Sequence, residues 1–504
     1  MSTATAVPSL VLPPLRAGNL DPPCWAAAPG SLAQQEFAKL EAWLSSPSAL
    51  QLPLHRVEDQ QRVYGREVQR LLLQAHIEQP GLGDVGPVLR VGQGTDEVLY
   101  THRRVHHRSL KTIFALVVIT RMGYSRVGSA SIYPLDEALQ LPARLFSYEL
   151  QKRAVKAAVQ GPFQESVASL AETIGVSLPK RSLEEILLDA AQDFDAFYRE
   201  CMREPDTGSI LVAAVDGKGI PMVKPEGAQR KVRPSKGDKI NRKRMATVAA
   251  VFSRAPWVRR AEEVVQSLFR SGRSAPSDSP AAPRPQNKRV WASLIKGKAA
   301  VVAEVGEEMD RRDPQRHRTQ VALTDGERAL HILVDKTLHI TLILDLRHVL
   351  EKLWKAAYVF HPEGSAEAEV WVRLRTLRVL HGQVSQVVKG LRQSVTKLHL
   401  RGTKRKTLLG VAAYLYRNRT RMRYHEYLAQ GLPIASGPVE GACKNLIKDR
   451  MERSGMRWTE AMAEAIVKLR AVYLSGDFDR YWSFHIEKEE QRLHPPGRWR
   501  VVLK

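Results

Sequence analysis

Three strand-like runs in the middle of the chain each lead directly to an aspartate. The first run contains six apolar residues, rich in Val and Ala, between polar neighbours. Such runs are typical of buried β-strands. We therefore predict three buried strands, each with a carboxylate at its end. The runs are residues 210–215, 319–324 and 338–344, and the acids that follow them are Asp216, Asp325 and Asp345.

The sequence around the first of these acids predicts a β-meander. A Gly-Lys-Gly turn after Asp216 leads to a short strand at residues 220–223, and a very basic loop precedes a strand at residues 246–252. Residues 271–287 are rich in Pro, Ser and Ala and are expected to form a surface linker. A carboxylate thus stands at the head of the meander.

Helical periodicity dominates the rest of the chain. A fourth acid, Glu440, opens a late helix. Two predicted helices, residues 166–174 and a helix from Ser182, have the outline of a helix-turn-helix, and Ser182 and Glu185 have the spacing of a capping box. This pattern fits both a DNA-reading pair and an ordinary packed pair. Helices are predicted within residues 34–44, 58–77, 141–204, 287–309, 346–357, 365–430 and 436–451.

Charge and cysteine content narrow the class of protein. The 504 residues carry 77 Lys and Arg against 53 Asp and Glu, a formal net charge of +24, which favours a polyanionic partner such as nucleic acid. Three widely spaced cysteines form no CxxC pair and fit a reducing compartment. The chain has neither an apolar run of about 18 residues nor a secretion signal, so we expect a cytoplasmic, nucleoid-associated protein without a membrane partner.

Basic residues concentrate in the loop after Asp216 and in residues 389–423. The second stretch contains no acid and carries three interleaved tyrosines nearby. A solvated surface normally mixes charges of both signs, so contact with a DNA backbone is the better explanation. The candidate DNA contacts are Lys218, Lys231, Arg233, Lys236, Arg242, Lys243, Arg244, Lys404, Arg405, Lys406, Arg417, Arg419, Arg421 and Arg457.

The four acids suit metal-dependent chemistry on phosphodiesters. Cleavage and strand transfer require an activated oxygen nucleophile and a stabilised leaving oxygen, and two Mg²⁺ ions about 4 Å apart provide both. Mg²⁺ prefers oxygen ligands and is commonly held by a few carboxylates. Acids at strand ends, a β-meander and an acid on a late helix follow the order that an RNase H-like nuclease core requires.

Several motifs, taken together and in order, resemble bacterial insertion-sequence transposases of the ISKra type, which are relatives of the Mutator-like DDE transposases. The resemblance extends from about residue 92 to the C-terminus. Its motifs are Tyr133-Pro-Leu-Asp-Glu-Ala-Leu-Gln-Leu-Pro142, Val215-Asp-Gly-Lys-Gly, Ala322-Leu-Thr-Asp-Gly-Glu, Asp345-Leu-Arg-His348, Ser436-Gly-Pro-Val-Glu440, Lys448-Asp-Arg-Met451 and Ser454-Gly-Met-Arg-Trp458.

The resemblance implies a fold, an activity and a set of site residues. It implies an RNase H-like α/β core, a mixed sheet flanked by helices, with a helical insertion before the catalytic glutamate. It also implies two Mg²⁺ ions, for which Mn²⁺ can substitute, held by Asp216, Asp325 and Glu440. The partners would be double-stranded DNA and further copies of the chain, in a dimer or larger assembly, with no small-molecule substrate.

The second acid has two candidates. Asp345-x-x-His348 matches a motif that Mutator-like enzymes place after their second acid, which favours Asp325. Asp345 also follows a predicted strand, and it remains an alternative metal ligand with Asp325 as a turn residue. The resemblance implies that His348 orients DNA or a neighbouring carboxylate. The alternative is that His348 is a buried histidine at the start of a helix.

Two departures from the family pattern concern the N-terminal region. Residues 114–118 lack the Phe-Gly turn that relatives lead us to expect. Ser125 and Gly128 stand where relatives often carry a Cys-x-x-Cys pair, which argues against a zinc-stapled domain. The expected organisation is a disordered arm at 1–32, a helical segment at 33–90, a DNA-binding region of strands and helices at 91–205, the first part of the core at 206–352, a basic helical insertion at 353–435, and C-terminal core helices at 436–504.

We therefore expect a DNA transposase that binds terminal inverted repeats, hydrolyses DNA at the element ends and joins the 3′-OH to target DNA. One alternative is a stand-alone RNase H-like nuclease or resolvase with the same core. Another is a catalytically silent DNA-binding protein derived from a transposase. Joining of the cut ends to target DNA would distinguish a transposase from a stand-alone nuclease or resolvase. DNA binding without metal-dependent cutting would indicate the silent DNA-binding protein.

Overall fold

The computed structural model describes residues 32–92, 97–200, 208–223, 243–269, 282–495, 497 and 499–501, without the side chains of residues 438–440, 454, 500 and 501. The protein is an α/β protein, mostly helical, with a five-stranded mixed sheet. Within the described ranges, no helix is both long enough and apolar enough to cross a membrane. The predicted arm at 1–32 falls outside the description except for Leu32, which begins the first helix.

Helices outnumber strands along the described part of the chain. The strands are β1 (Leu89–Val91), β2 (Val98–Tyr100), β3 (His102–Lys111), β4 (Leu116–Ser125), β5 (Ile210–Pro221), β6 (Lys243–Arg254), β7 (Gln286–Ser293), β8 (Thr319–Thr324), β9 (Thr341–Leu344) and β10 (Trp499–Val501). The helices up to the end of β9 are α1 (Leu32–Leu44), α2 (Pro47–Leu50), α3 (Leu54–Glu78), α4 (Pro134–Ala138), α5 (Tyr148–Ala158), α6 (Phe163–Ile174), α7 (Lys180–Ala191), α8 (Phe194–Glu200), α9 (Ala261–Leu268), α10 (Lys298–Arg312) and α11 (Arg328–Leu338). The later helices are α12 (Leu346–Ala357), α13 (Ala366–Leu380), α14 (Val384–Lys397), α15 (Gly402–Asn418), α16 (Tyr424–Ala429), α17 (Gly437–Ala442), α18 (Asp449–Met451), α19 (Glu460–Leu474) and α20 (Phe478–Leu493), with a π-helical segment, Cys443–Lys448, between α17 and α18.

The chain divides into two compact units. The first unit comprises Met1–Ala157, Phe163–Lys180 and Trp482–Lys504, and the second comprises Ala158–Pro162 and Arg181–Tyr481. Helix α6 therefore lies in the first unit and nearly all of α7 in the second, so the two predicted helix-turn-helix segments belong to different units. Helix α7 begins at Lys180 rather than at Ser182, so the predicted capping box is wrong.

The first unit contains a small sheet and a long hairpin. Strand β1 pairs antiparallel with both β2 and β10, and β3 pairs antiparallel with β4 over ten residue pairs. Helix α3 is held to β4 by the side chain of Gln74, which donates to the carbonyl of Val118 (2.7 Å) and accepts from its N–H (2.9 Å). The amphipathic helix thereby covers the apolar side of the hairpin with Ile77, which packs into the same buried cluster as Ile119.

The Pro-Leu-Asp motif after the hairpin has a structural role. Asp136, 9% exposed, accepts from the guanidinium of Arg108 (3.2 Å) and forms an ion pair with Arg121. The guanidinium carbon of Arg121 lies over the ring of Tyr133, 3.7 Å from its centroid. Burial, together with the charge of Arg108, lowers the pKa of Arg121 to about 10. The Asp136 carboxylate thus connects the motif to both strands of the hairpin. Removing it would leave two largely buried guanidinium groups without their counter-charge and would destabilise the folded protein.

The hairpin turn forms although the expected Phe-Gly pair is absent. Thr112 is buried, and its hydroxyl donates to the carbonyl of Ala115 (2.9 Å) and accepts from the N–H of Phe114 (3.2 Å). Ala115 adopts φ 145°, a region that favours glycine. The predicted strand from Thr112 therefore begins only at Leu116. The turn keeps a backbone conformation that is strained for Ala115 and that glycine would adopt without strain.

Replacing Ala115 by glycine is expected to stabilise the protein by about 1 kcal/mol. Relief of a strained φ is worth on the order of 1–3 kcal/mol, and the greater freedom of glycine in the unfolded chain removes part of it. The free energy of unfolding from chemical denaturation measures the change. Ala130→Gly, in an exposed loop without positive φ, is the matched control and should destabilise slightly. Equal destabilisation by both substitutions would contradict the strain at Ala115.

The second unit is built on a five-stranded sheet with the strand order β7-β6-β5-β8-β9. Strands β5, β6 and β7 pair antiparallel, whereas β8 is parallel to β5 and β9 is parallel to β8. The central strand is buried up to Val215 because its residues are apolar on both faces. Helices α10, α17 and α19 pack against the sheet.

The sequence predictions for this sheet are right for β8 and partly wrong elsewhere. Strand β5 does not end in a turn at Asp216 but continues to Pro221, paired with β6 to its last residue. Strand β7 replaces the start of the predicted helix at 287–309, and α10 begins at Lys298. The strand predicted at 338–344 contains only Thr341–Leu344, because Leu338 ends α11. Residues 271–281 of the predicted linker lie outside the described residues, and Gln286 already belongs to β7.

The predicted helical insertion consists of the end of α12 and helices α13 to α16, joined by turns and short loops. Helix α12 packs on α13 and α15, and α14 packs on α13 and α15. Helix α12 begins directly after Asp345, whose carboxylate accepts from the N–H of Arg347 at 2.8 Å and caps the helix. The helices of this region are therefore attached to the sheet through Asp345, the residue that follows β9.

Candidate active site

The three aspartates predicted from strand-like runs lie in one row of the sheet. Val215 pairs with Thr324, and Thr324 pairs with Leu344, in two parallel ladders. Each of these three residues is followed by an aspartate, and adjacent strands are about 4.8 Å apart. Asp216, Asp325 and Asp345 therefore stand side by side at the edge where β8 and β9 end and where β5 continues beyond them.

Asp216 is half-buried, and both of its carboxylate oxygens have a donor. The N–H of Gly217 donates to Oδ1 at 2.7 Å, and the thiol of Cys443 donates to Oδ2 at 3.2 Å. Burial raises the pKa of the Cys443 thiol, and the charge of Asp216 raises it further. Cys443 therefore remains a neutral donor toward the carboxylate, rather than a competing anion.

Asp325 is half-buried at the start of the turn that leads to α11. Its Oδ1 accepts from the N–H of Glu327 at 3.0 Å, and its Oδ2 accepts no hydrogen bond from any described residue. Its main-chain carbonyl accepts from Nε2 of buried His331 at 2.6 Å. Burial lowers the pKa of His331, against the effect of that hydrogen bond, so the imidazole is neutral near pH 7. Oδ2 of Asp325 is therefore available to a ligand, and the hydrogen bond from His331 holds the backbone of Asp325 in place.

The ring of Tyr414 packs against the turn after Asp325. A Cβ built on Gly326 would clash with the Tyr414 ring, so only glycine allows this approach. Burial raises the pKa of Tyr414, and the nearby charge of Asp325 adds to the effect. Helix α15 of the insertion thereby contacts the residue next to the second acid.

Asp345 differs from the other two acids because its carboxylate is buried and already engaged. The residue is 2% exposed. Oδ1 accepts from Arg347, and Oδ2 accepts from both the N–H (2.8 Å) and the hydroxyl of Ser436. Its own N–H donates to the carbonyl of Thr324 at 3.0 Å. Asp345 thus connects the residue before Asp325 to the turn that leads into α17.

Glu440 lies within α17, and its side chain is among those the structure does not describe. Helix α17 packs against β5, β6 and β7, and the π-helical segment that follows packs against β5. The contact between Cys443 and Asp216, three residues after Glu440, fixes this helix beside the first acid. π-Helical turns occur frequently at functional sites. The backbone that carries Glu440 therefore belongs to the same neighbourhood as Asp216.

His348 lies in the first turn of α12 and is partly exposed, with 34% of its side chain accessible. Its Nδ1 is 3.5 Å from a carboxylate oxygen of Glu351, one turn further along the helix. The predicted alternative of a buried histidine at the helix start therefore does not hold. An accessible imidazole at this end of the sheet can meet a ligand from solvent.

The acids present fit a hard divalent cation as far as their side chains are described. Asp216 and Asp325 offer carboxylate oxygens on neighbouring strands, and Oδ2 of Asp325 is available. Among the described side chains, which exclude that of Glu440, no group of three or more His, Cys, Asp or Glu is arranged to hold a metal. The two described acids need the third ligand that the sequence assigns to Glu440.

The predicted DNA contacts have different environments. Lys231, Arg233, Lys236 and Arg242 lie outside the described residues. Lys218 is half-buried on β5, and Arg457 is exposed. Lys243 and Arg244 form ion pairs with Glu452 and Glu460, which tie β6 to the region around Trp458. Lys243 and Arg244 are therefore engaged within the protein itself.

The six candidates in the insertion lie on or just after α15. Lys404, Arg405 and Lys406 are exposed near its start, and Arg417 is exposed near its end. Arg419 lies over the ring of Tyr416, 4.2 Å from the centroid, and Arg421 pairs with Asp335 at 3.0 Å. Of the set, Lys404, Arg405, Lys406 and Arg417 are the more available for an anion.

Four residues that support the site carry no sequence signal as partners of the acids. Three of them lie far from their partners along the chain, and the fold brings them into contact: Cys443 with Asp216, Tyr414 with Gly326 and Ser436 with Asp345. The fourth, His331, lies six residues beyond Asp325 and donates to its carbonyl. Ser436 opens the motif that carries Glu440, and Cys443 lies three residues after Glu440 in the same motif, so this motif is a sequence signal that could have found both.

Comparison with known proteins adds no assignment: neither a family model nor a curated protein matches the chain.

Proposed function

We propose that this chain is a DNA transposase of an insertion sequence, which binds terminal inverted repeats, cuts at the element ends and joins the freed 3′-OH to target DNA. One observation carries the proposal. Asp216 and Asp325 follow a pair of residues in register on adjacent parallel strands, and the helix that bears Glu440 packs on the first of these strands. The proposal is that acids from two strand ends and one late helix act together at this edge of the sheet, as phosphodiester chemistry requires.

The strand order supports an RNase H-like core. In chain order the sheet strands are arranged 3-2-1-4-5, with the first three antiparallel and the last two parallel to the first. A mixed sheet with one acid on its first strand and another directly after its fourth is compatible with the RNase H-like core that the sequence resemblance implies. The basic helices between β9 and α17 take the place of the insertion that the sequence resemblance implies.

Asp216, Asp325 and Glu440 would hold the two Mg²⁺ ions, and Mn²⁺ could replace them. The ions would supply activation of the attacking oxygen and charge stabilisation of the leaving oxygen. Without cations, the two described carboxylates would repel a phosphodiester, so DNA cleavage by these residues is metal-dependent on electrostatic grounds.

The chain's own residues hold the acids in place. Cys443 and the N–H of Gly217 orient the carboxylate of Asp216, and His331 holds the backbone at Asp325. Asp345 joins the β8 end to the turn before α17, and we assign it a positioning role rather than a ligand role. His348 is accessible for contact with DNA phosphate.

Both reactions exchange one phosphorus–oxygen bond for another. In the first, a water oxygen attacks phosphorus at the element end, loses a proton and displaces the strand's 3′ oxygen, which leaves as a 3′-OH. In the second, that 3′-OH attacks a phosphorus of target DNA, loses its proton and displaces a target 3′ oxygen, which is protonated. Neither step needs an oxidant or a high-energy cofactor.

The direct test uses the purified full chain with DNA that carries the sequences flanking its reading frame at both ends, and a target plasmid. We expect cleavage at the element ends with Mg²⁺ or Mn²⁺, no cleavage with EDTA, and joined products on the target, all scored by sequencing gels. Cleavage without joining would favour a stand-alone nuclease. Binding without cleavage in either metal would favour a silent DNA-binding protein.

A further inference from the structure

A cleft lies between α12 and α15, beside the row of acids. Its volume is about 490 Å³, within the range of roughly 300–1,000 Å³ typical of ligand sites. Four cations line it: Lys352 and Lys355 on α12, and Lys406 and Arg417 on α15. Thr407 and Tyr414 also line the cleft.

These four cations are not neutralised within the described part of the chain. None of them forms an ion pair with a described acid. Glu351, on the same helix, lies 3.5 Å from Nδ1 of His348. Lys352 lies over the Tyr414 ring, its Nζ 5.2 Å from the centroid, which draws its ammonium toward the cleft. Like charges around one concavity repel each other, and an anion that enters the cleft relieves that repulsion.

The aromatic wall of the cleft also touches the candidate active site. Tyr414, between the cleft and the sheet, packs against Gly326, the residue after Asp325. An extended anion in the cleft is therefore close to the second acid. Lysine ammonium groups are compact point charges that suit phosphate, and the arginine guanidinium can bind it with two hydrogen bonds.

We propose that this cleft binds backbone phosphates of the DNA strand that enters the active site next to Asp325. The inference rests on the proposed function and adds to it a defined phosphate site made by Lys352, Lys355, Lys406 and Arg417. Several separated cations suit a chain of phosphodiesters better than a single carboxylate. The site places the insertion in contact with the strand being cut.

Lys355→Gln/Lys406→Gln tests the site without disturbing the core, because both side chains are exposed. The matched control, Lys389→Gln/Lys397→Gln, removes the same charge from exposed positions on α14 outside the cleft. Binding is measured in EDTA by fluorescence anisotropy, over a range of salt concentrations. The probes are a duplex of about 20 base pairs from the flanking sequence, long enough to span a specific protein–DNA interface, and the same duplex with a single-stranded 3′ extension.

We expect the cleft variant to raise Kd on the order of tenfold and to reduce the slope of log K against log salt by about one to two, with a much smaller change in the control. A larger loss with the extended probe assigns the cleft to single-stranded DNA, and equal losses assign it to duplex, and both support the site. Equal effects of the two variants would overturn it and indicate a diffuse basic surface. If the unmodified chain neither binds nor cuts DNA, the proposed function fails as well.

Discussion

Asp216→Asn and Asp325→Asn are each expected to abolish metal-dependent DNA cleavage, lowering its rate at least about a thousandfold. Each substitution keeps the shape of the side chain but removes the charge that would hold a divalent cation at the sheet edge. Glu440→Gln is expected to have the same effect. The measurement is the single-turnover rate of cleavage at the element ends in Mg²⁺ and in Mn²⁺.

Binding and folding provide the controls for that result. All three variants should bind the element ends as well as the unmodified chain in EDTA, because the acids do not attract DNA. Asp310→Asn, at an exposed acid paired with Arg316, is the matched control and should cut normally. Normal cleavage by Asp325→Asn together with a dead Asp345→Asn would transfer the second catalytic position to Asp345.

The sequence predicts the row of acids well because the signal is local. Strand β8 has its predicted limits, and α12 begins after Asp345 as its helical periodicity indicates. An apolar run that ends in a polar residue predicts a buried strand followed by an exposed position. Parallel pairing of β5, β8 and β9 then places the aspartates that follow the three runs next to each other. The long continuation of β5 escapes prediction because Gly217 and Gly219 suggest a turn, whereas pairing with β6 keeps them extended.

The parts of the site that the sequence does not predict depend on contacts far apart in the chain. Ser436 lies 91 residues beyond Asp345, and Cys443 lies 227 residues beyond Asp216. No periodicity in the sequence relates such pairs. Without these contacts, the sequence does not distinguish a buried aspartate such as Asp345 from the half-buried Asp216 and Asp325. The helical prediction for β7 is wrong for a similar reason: its apolar residues pack against β6, and that tertiary pairing outweighs local preference.

The burial of Asp345 changes what its substitution should do. Asp345→Asn is expected to lower the cleavage rate on the order of a hundredfold while leaving the Mg²⁺ concentration for half-maximal rate nearly unchanged. An amide has one accepting oxygen where the carboxylate has two, so the N–H of either Arg347 or Ser436 would face an NH2 group instead of an acceptor. A displacement of about 1 Å at a remote support can cost that much. Loss of a metal ligand would instead raise the metal requirement.

A double-mutant cycle with Ser436 separates positioning from ligation. Ser436→Ala removes one donor to Asp345 and should slow cleavage about tenfold, because the main-chain N–H still holds the turn before Glu440. If Asp345 acts through Ser436, the double variant Asp345→Asn/Ser436→Ala should be no slower than Asp345→Asn alone, a coupling of about 1.4 kcal/mol. If Asp345 binds metal itself, Ser436→Ala should cut at nearly the normal rate and the two effects should add. Asp345 would then join Asp216 as a ligand, in spite of its burial, and the positioning role assigned to it would be wrong.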